Sequence, residues 1–158
     1  MDSPEPRWLT ACEQQAWRSY IRAVRLVDER LRRGLEVHDL SHPEYEILVR
    51  LSEAPDRVAR MSELADDTVS SRSRLTHTVT RLERKGWVRR RPCPADGRGV
   101  DCLLTDEGFA ALAEAARSHV AEVREVLLDA LTPQEFLQLG AALGKVADRI
   151  EAAGGSAA

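Results

Sequence analysis

Between Arg72 and Lys85 the chain concentrates side chains that form hydrogen bonds with polar and anionic partners. The polar positions of this stretch are Arg72, Ser73, Arg74, Thr76, His77, Thr80 and Arg81. A guanidinium group offers a fork of donors that matches guanine O6 and N7 or a phosphate, and hydroxyl and imidazole groups reach either. Apolar residues recur at helical spacing on the opposite side of the same helix, at Leu75, Val79 and Leu82. This pattern is typical of a helix that packs with one side and contacts nucleic acid with the other.

A second group of cationic side chains follows in a predicted β-hairpin. Its strands, 87–92 and 100–105, flank a turn in which Asp96-Gly97 is a strong turn signal. Arg98 then stands at the hairpin tip, where it can enter a minor groove while Asp96 holds its guanidinium in a fork-like ion pair. The first strand places further cations for phosphate contacts, at Arg89, Arg90 and Arg91.

Charge is unevenly distributed along the chain. The 158 residues carry a formal net charge of -3. Between Arg57 and Gly99, however, eleven basic and five acidic residues leave +6, so the remainder carries -9. Phosphates respond to the local potential, which extends about 10 Å at moderate salt, rather than to the total. A basic middle between acidic flanks therefore favours one nucleic-acid surface and a different role for the flanks.

The elements that position these residues form a helix-turn-helix. A short helix from Met61 precedes a break at 68–70, and Ser70 or Ser71 caps the arginine-bearing helix. Gly86 stands where that helix needs a left-handed C-terminal residue. A short strand at Val58–Arg60 is only weakly indicated.

Long amphipathic helices flank this module. Capping boxes start helices at Thr10 and Glu13, at Ser41 and Glu44, and at Thr132 and Glu135, and Thr105 caps a further one. Their apolar stripes have no obvious interior in a chain of this length, so we expect burial across a two-fold axis. The predicted fold is mainly α: a winged helix-turn-helix with a two-stranded wing over residues 41–105, a dimerisation region over 8–40 and 106–153, and a frayed tail at 154–158.

The same residues resemble a known family. Ser62-Glu63-Leu64-Ala65, Ser71-Arg72-Ser73-Arg74-Leu75-Thr76-His77, Arg81-Leu82-Glu83-Arg84-Lys85-Gly86-Trp87-Val88, Asp96-Gly97-Arg98-Gly99 and Leu104-Thr105-Asp106-Glu107-Gly108 are similar, in this order, to the MarR (multiple antibiotic resistance regulator) family. The resemblance covers nearly the whole chain. It implies an obligate homodimer on a pseudo-palindromic double-stranded DNA operator, usually as a repressor. It also implies release by a small organic ligand bound between the dimer domain and the winged module; other members respond to oxidants and a few to metal.

The signal that such a regulator senses is less evident. For a small organic effector, Trp17 and Tyr20 on the first helix are the predicted ligand-binding residues, although packing within a dimer core is the stronger interpretation. Cys12 is interpreted as a small buried residue of the apolar stripe rather than a peroxide sensor. Cys93 and Cys102 are expected to be structural, with an exposed, oxidisable Cys93 as the alternative. Neither a metal site nor a cofactor is predicted, because His38, His42 and His119 lack ligand spacing.

Several function classes lack support in the sequence. It has no glycine-rich phosphate loop, HExxH motif or nucleophile elbow, so we do not expect an enzyme. No apolar run approaches the roughly 18 residues that span a bilayer, and no secretory signal is expected at the N-terminus. Three cysteines without CxxC spacing favour a reducing cytoplasm. The remaining alternatives are a redox-responsive regulator of the same fold and a winged-helix interaction module that does not bind DNA.

Overall fold

The computed structural model describes residues 5–67, 72–93 and 96–154. In chain order the elements are α1 (Ala11–Glu36), α2 (His42–Glu53), a 3-10 turn (Pro55–Arg57), β1 (Val58–Arg60), α3 (Met61–Asp67), α4 (Arg72–Arg84), β2 (Val88–Cys93), β3 (Asp96–Leu104), α5 (Asp106–Val123), a π-helical turn (Arg124–Leu128) and α6 (Pro133–Gly154). The predicted mainly helical, winged helix-turn-helix architecture is confirmed. The predicted break at 68–70 and the capping residue, Ser70 or Ser71, lie outside the described residues.

Capping side chains start the helices where the sequence predicts. The backbone N–H groups of Thr10, Ser41 and Thr132 each donate to the glutamate three residues on, at 2.8 Å in all three cases. The hydroxyl of Thr105 accepts from the N–H of Gly108 at 3.0 Å and so caps α5. These bonds satisfy donors that a helix start otherwise leaves without partners. The helix boundaries therefore follow from local chemistry.

The wing belongs to a three-stranded antiparallel sheet in the order β1-β3-β2. Val58 pairs with Leu103 and Arg60 with Asp101, so the weakly indicated strand is present and adds an edge to the predicted two-stranded hairpin. On the other side of β3, Val88 pairs with Leu104. The sheet thereby joins the chain before α3 to the chain after α4, and it closes the helix-turn-helix into one unit.

The second strand of the hairpin is longer than the sequence predicts. β3 begins at Asp96 rather than at Val100, because pairing resumes between Cys93 and Asp96 after a register shift. Pro92 pairs with Val100, so the register skips Gly97, Arg98 and Gly99 of β3. Arg98 is thus at the centre of an irregular stretch within β3 and not in the predicted turn before that strand. The two glycines that flank it suit an irregular strand of this kind.

The hydrophobic core lies beneath the helix-turn-helix. The chain divides into two compact units after Ala115. In the first unit, the predicted inward stripe of α4 (Leu75, Val79 and Leu82) is buried. It packs in one cluster with residues of α1, α2, α3 and the sheet, among them Leu35, Leu48, Leu64, Val88 and Cys102. α4 is therefore fixed from behind, as a helix that presents its other side must be.

The terminal helices leave much of their apolar surface exposed. On α1 only Leu31 and Leu35 are buried, whereas Trp17, Tyr20, Ile21, Val24 and Leu26 are exposed. In the second unit, α6 exposes Leu137, Leu139, Leu143, Val146 and Ile150. Cys12, expected to be buried on the α1 stripe, is exposed in the single chain because that stripe has little cover there. The assignment of both regions to dimerisation stays a prediction.

Candidate nucleic-acid interface

The outer side of α4 carries most of the predicted DNA-contacting residues. Those exposed to solvent are Arg72, Ser73, Arg74, Thr76, His77 and Arg81. They alternate with the buried Leu75, Val79 and Leu82 at helical spacing, which separates a polar side from an apolar one. Two arginines and two small hydroxyl residues thus occupy the first half of α4. These are donors of the kinds that contact base edges and phosphates.

The threonine hydroxyls of α4 donate their hydrogens to backbone carbonyls of the same helix. The Oγ1 atoms of Thr76, Thr78 and Thr80 donate to the carbonyl four residues earlier, at 2.9, 2.9 and 2.8 Å. A hydroxyl bonded in this way can offer a further partner its oxygen and its methyl group but not its hydrogen, and Thr80 Oγ1 already accepts from Arg90 Nη2 at 3.2 Å. The sequence predicts that Thr76 contacts DNA. Its hydroxyl hydrogen is used by the Arg72 carbonyl, so such a contact would have to use the hydroxyl oxygen or the methyl group.

Arg81 lies on the polar side of α4, but its guanidinium is held by a buried carboxylate. Arg81 Nη2 lies 3.2 Å from Oε2 of Glu44, whose side chain is fully buried, whereas the side chain of Arg81 is 48% exposed. Glu44 also accepts from Ser41 Oγ at 2.7 Å. Burial raises the pKa of Glu44, but the hydrogen bonds from Ser41 and the contact with Lys85 outweigh it, so the pKa is lowered overall. Glu44 is consequently a carboxylate at neutral pH.

Lys85, which the charge count includes in the basic region, anchors the end of α4. Its Nζ lies 3.2 Å from Glu44 Oε1 and 3.3 Å from Asp39 Oδ2, and it also contacts the Asp39 carbonyl. Its ammonium stands 4.8 Å from the centre of the Trp87 ring, a cation–π contact. The side chain is only 18% exposed. Lys85 therefore has a structural role here.

The arginines of β2 differ in what they contact. Arg89 is exposed, as a phosphate contact requires. Arg90, predicted to contact DNA, donates through Nη2 to Glu83 Oε2 at 2.5 Å and to Thr80 Oγ1 at 3.2 Å. The hydrogen bond from Arg90 lowers the pKa of Glu83, so this pair is ionised near neutrality. Arg91 lies 3.8 Å from the carboxylate of Asp101. Arg90 thus ties the wing to α4.

The wing residues Asp96 and Arg98 are placed by their backbone alone. Both lie in β3, two residues apart and on either side of Gly97. The predicted ion pair between them lies outside the described side chains. Arg98 lies in the irregular stretch of β3 between the Cys93–Asp96 and Pro92–Val100 pairs.

The cysteines fall into one exposed and two buried positions. Cys93 and Cys102 are buried, so the alternative of an exposed Cys93 is wrong. Burial raises the pKa of the Cys102 thiol to about 12, and a thiol is a poor nucleophile when protonated. Arg60 Nη2 lies 3.5 Å from Cys93 Sγ. Among the described residues, no group of three or more His, Cys, Asp or Glu side chains is arranged to hold a metal ion.

The predicted ligand residues lie together but apart from the described cavities. Trp17 and Tyr20 stack with ring centres 5.8 Å apart, and both are exposed. A cavity of about 300 Å³ lies instead between the end of α1, the α1–α2 turn and α4, lined among others by Arg32, His42 and Arg81. Sequence reasoning missed this cavity, because its residues come from separate elements. The signal available beforehand was His42, beside a predicted helix start.

These features define the class of the protein. An exposed polar helix fixed on a core, preceded by a shorter helix and followed by an antiparallel hairpin, is a winged helix-turn-helix, a DNA-binding architecture. No helix in the described part of the chain is long and apolar enough to cross a membrane.

Comparison with known proteins identifies the family. The model of the MarR family matches residues 40–100. HTH-type transcriptional regulator PecS of Dickeya dadantii (strain 3937) is 35% identical over 77% of this chain and 73% of its own. Two MarR family regulators of Streptomyces coelicolor have similar crystal structures. Sco3205, in complex with DNA, is 48% identical with a TM-score of 0.87 over 92% of each chain. AbsC is 40% identical with a TM-score of 0.89 over 93% of this chain and 99% of its own.

The chain belongs to the MarR family of transcriptional regulators, as its resemblance predicted. It is a regulator and not an enzyme.

Proposed function

We propose that this regulator is a homodimer that binds a pseudo-palindromic double-stranded DNA operator and represses nearby genes until a small organic effector releases it. The observation that carries the proposal is the exposed polar side of α4, backed by a fully buried apolar side. A similar regulator, Sco3205, has a structure in complex with DNA. Because the proposed regulator acts on DNA, we expect it in the cytoplasm.

The proposed DNA contacts follow the geometry of α4 and the wing. Residues at the start of α4 approach base edges in the major groove: Arg72, Ser73, Arg74, Thr76 and His77. Arg89 contacts a phosphate from β2, and Arg98 enters the minor groove with Asp96 beside it. Arg81 and Arg90 each donate to a carboxylate, Glu44 and Glu83 respectively, and retain further N–H donors. We propose that these remaining donors contact DNA phosphates, with the charge of each arginine partly neutralised by its carboxylate.

A homodimer accounts for the exposed apolar surface. α1 and α6 each expose at least four large apolar side chains, which is costly in water unless a partner covers them. Two-fold symmetry then presents two copies of α4. For both to enter successive major grooves, they must stand roughly 34–36 Å apart. The operator should accordingly contain two half-sites one helical turn apart.

The cavity beside Arg81 is the proposed effector site. Arg32, His42 and Arg81 line it together with Asp28, Glu36 and Asp39. This mixture of cationic and acidic groups suits a small polar organic molecule that both donates and accepts hydrogen bonds. Arg81 belongs both to this cavity and to the polar side of α4, so a ligand there contacts the DNA-binding helix directly. Trp17 and Tyr20 remain candidate ligand residues on α1, and their exposure suits a dimer interface equally well.

Footprinting combined with mass measurement tests the proposal. Genomic fragments selected by the purified protein are footprinted, and the mass of the complex is measured by light scattering. We expect one dimer protecting two inverted half-sites, less transcription from the adjacent promoter, and release by some members of a screen of small organic molecules. Protection of a single half-site by one chain would contradict the homodimer, and unchanged transcription would contradict repression.

A further inference from the structure

We propose that Glu44 is a positioning residue for DNA binding, because it fixes the guanidinium of Arg81 where an operator phosphate passes. The inference rests on the proposed function, since it takes Arg81 as a DNA contact. Glu44 belongs to α2 and is too deeply buried to touch DNA itself. The sequence explains it only as the partner of Ser41 in a capping box.

The Glu44 carboxylate is the centre of a charge cluster built from two helices. Oε2 accepts from the backbone N–H of Ser41 at 2.8 Å and from Ser41 Oγ at 2.7 Å. The same oxygen accepts from Arg81 Nη2 at 3.2 Å. Oε1 lies 3.2 Å from Lys85 Nζ, an ion pair without a further hydrogen bond. Two cations, Arg81 in the last turn of α4 and Lys85 directly after that helix, therefore converge on one carboxylate of α2.

Burying the Glu44 carboxylate costs free energy. A carboxylate removed from water is stable only when cations and hydrogen-bond donors compensate it. Capping alone needs no buried charge, because the glutamates of the other two capping boxes, Glu13 and Glu135, are exposed. The difference between them and Glu44 is the pair of cations at the end of α4, Arg81 and Lys85. Glu44 thus does more than cap α2: it couples the start of α2 to the second half of the DNA-binding helix.

Arg81 is held by Glu44 but keeps N–H groups that can bind a second partner. One guanidinium nitrogen contacts Glu44, while the side chain remains 48% exposed on the polar side of α4. A planar guanidinium anchored at one nitrogen loses little further freedom when its other N–H groups bind a phosphate. Without the carboxylate, the long side chain samples many rotamers, and binding must then order it. Glu44 should therefore strengthen DNA binding even though it is an anion.

A double-mutant cycle tests the proposal. Affinity for the selected operator is measured by fluorescence anisotropy for wild type, Glu44→Gln, Arg81→Ala and the double variant. We expect Glu44→Gln to weaken binding about tenfold, and the double variant to bind no more weakly than Arg81→Ala alone, as residues in one ion-pair network are coupled. Glu53→Gln is the matched control, because Glu53 is an exposed glutamate at the end of the same helix. It should bind like wild type.

Each other outcome overturns the inference. Equal or tighter binding by Glu44→Gln would show that the carboxylate does not assist Arg81. A further loss in the Arg81→Ala background would show a merely structural effect. If Glu44→Gln does not fold, Arg81→Lys decides: a lysine keeps the charge but not the fork, so we expect weaker binding, and wild-type affinity would overturn the proposal. Failure of wild type itself to select any operator would instead refute the proposed function.

Discussion

Gly108 at the start of α5 lies so close to the backbone of Trp87 that a Cβ atom at Gly108 would stand 2.1 Å from the Trp87 carbonyl oxygen. The hydroxyl of Thr105 completes this junction, because it donates to the Gly86 carbonyl at 2.8 Å and accepts from the N–H of Gly108. The corner between α4 and β2 and the first turn of α5 are thereby joined by the Thr105 hydroxyl and by a backbone hydrogen bond from Thr105 N–H to the Trp87 carbonyl at 3.0 Å. This close approach explains why glycine occupies position 108, the last residue of the segment Leu104–Gly108 that resembles the family.

Gly108→Ala should therefore destabilise the protein. The obstruction is a carbonyl and not a flexible side chain, so the start of α5 must shift, at a cost of about 1–3 kcal/mol typical of overpacking. Urea unfolding at fixed protein concentration measures the change in the free energy of unfolding. Gly144→Ala is the control, because a Cβ there meets nothing within 4 Å in the chain and alanine favours the helix. Equal stability of wild type and Gly108→Ala would contradict the close approach.

The Glu83–Arg90 pair should contribute stability that depends on pH. The pKa of Glu83 is lowered in the folded protein, chiefly by the hydrogen bond from Arg90. A group whose folded pKa lies below its unfolded pKa stabilises the fold above the unfolded value, about 4.3 for glutamate, and this stabilisation is lost as pH falls through the folded pKa. Wild type should thus exceed Glu83→Gln in stability at pH 7, and the gap should shrink towards pH 3.

An Arg90→Gln background provides the control for this pair. Without its partner, Glu83 should have a smaller pH-dependent effect, measured by the same urea titrations. A gap between wild type and Glu83→Gln that grows as pH falls would have the wrong sign for a lowered pKa.

Thr76 should tolerate loss of its hydroxyl better than loss of its methyl group. The hydroxyl hydrogen is donated to the Arg72 carbonyl, so it is not available to DNA acceptors. A threonine methyl commonly contacts the methyl group of thymine. Thr76→Val should bind the operator within about twofold of wild type, and Thr76→Ser should lose about fourfold, the value of one buried methylene. The reverse order of affinities would refute this assignment.

Cys102 should resist thiol reagents in the native protein. Its pKa of about 12 leaves almost no thiolate at pH 8, and the side chain is fully buried. Labelling at pH 8 followed by peptide mass spectrometry should find Cys102 unmodified. The same labelling in denaturant should modify it fully, which controls for peptide detection. Rapid native labelling of Cys102 would show that the wing sheet opens.

Short-range sequence signals predicted many of the helix boundaries. Capping boxes at Thr10, Ser41 and Thr132 predicted three helix starts, because each depends on residues only three positions apart. Gly86 predicted the end of α4, and it has a φ of +76°. The register of the wing was less predictable: Asp96-Gly97 is a turn signal, but Asp96 pairs with Cys93, and Asp96 and Gly97 both belong to β3.

Pairings between distant residues were not predictable. Arg81 and Glu44 are 37 positions apart, so the sequence alone presents Arg81 as one more solvent-exposed cation of α4. Arg90 and Glu83 are only seven positions apart, but a helix end and a strand start lie between them, so no periodic rule relates them. The sequence therefore predicted which surface carries cations, and the structure distinguished arginines with carboxylate partners on Glu44 and Glu83 from the exposed Arg89.

The most direct test of the account is the affinity of the purified protein for duplex DNA from upstream of its own gene, measured by fluorescence anisotropy against scrambled duplex over a salt series. The account predicts tight, sequence-preferring binding that falls steeply with salt. Arg74→Ala should lose about 1–3 kcal/mol of binding free energy, whereas Arg50→Ala, on the exposed end of α2, should bind like wild type. Equal, weak binding to both duplexes, followed by a genome-wide selection that enriches no fragment, would contradict the role of α4 in DNA recognition.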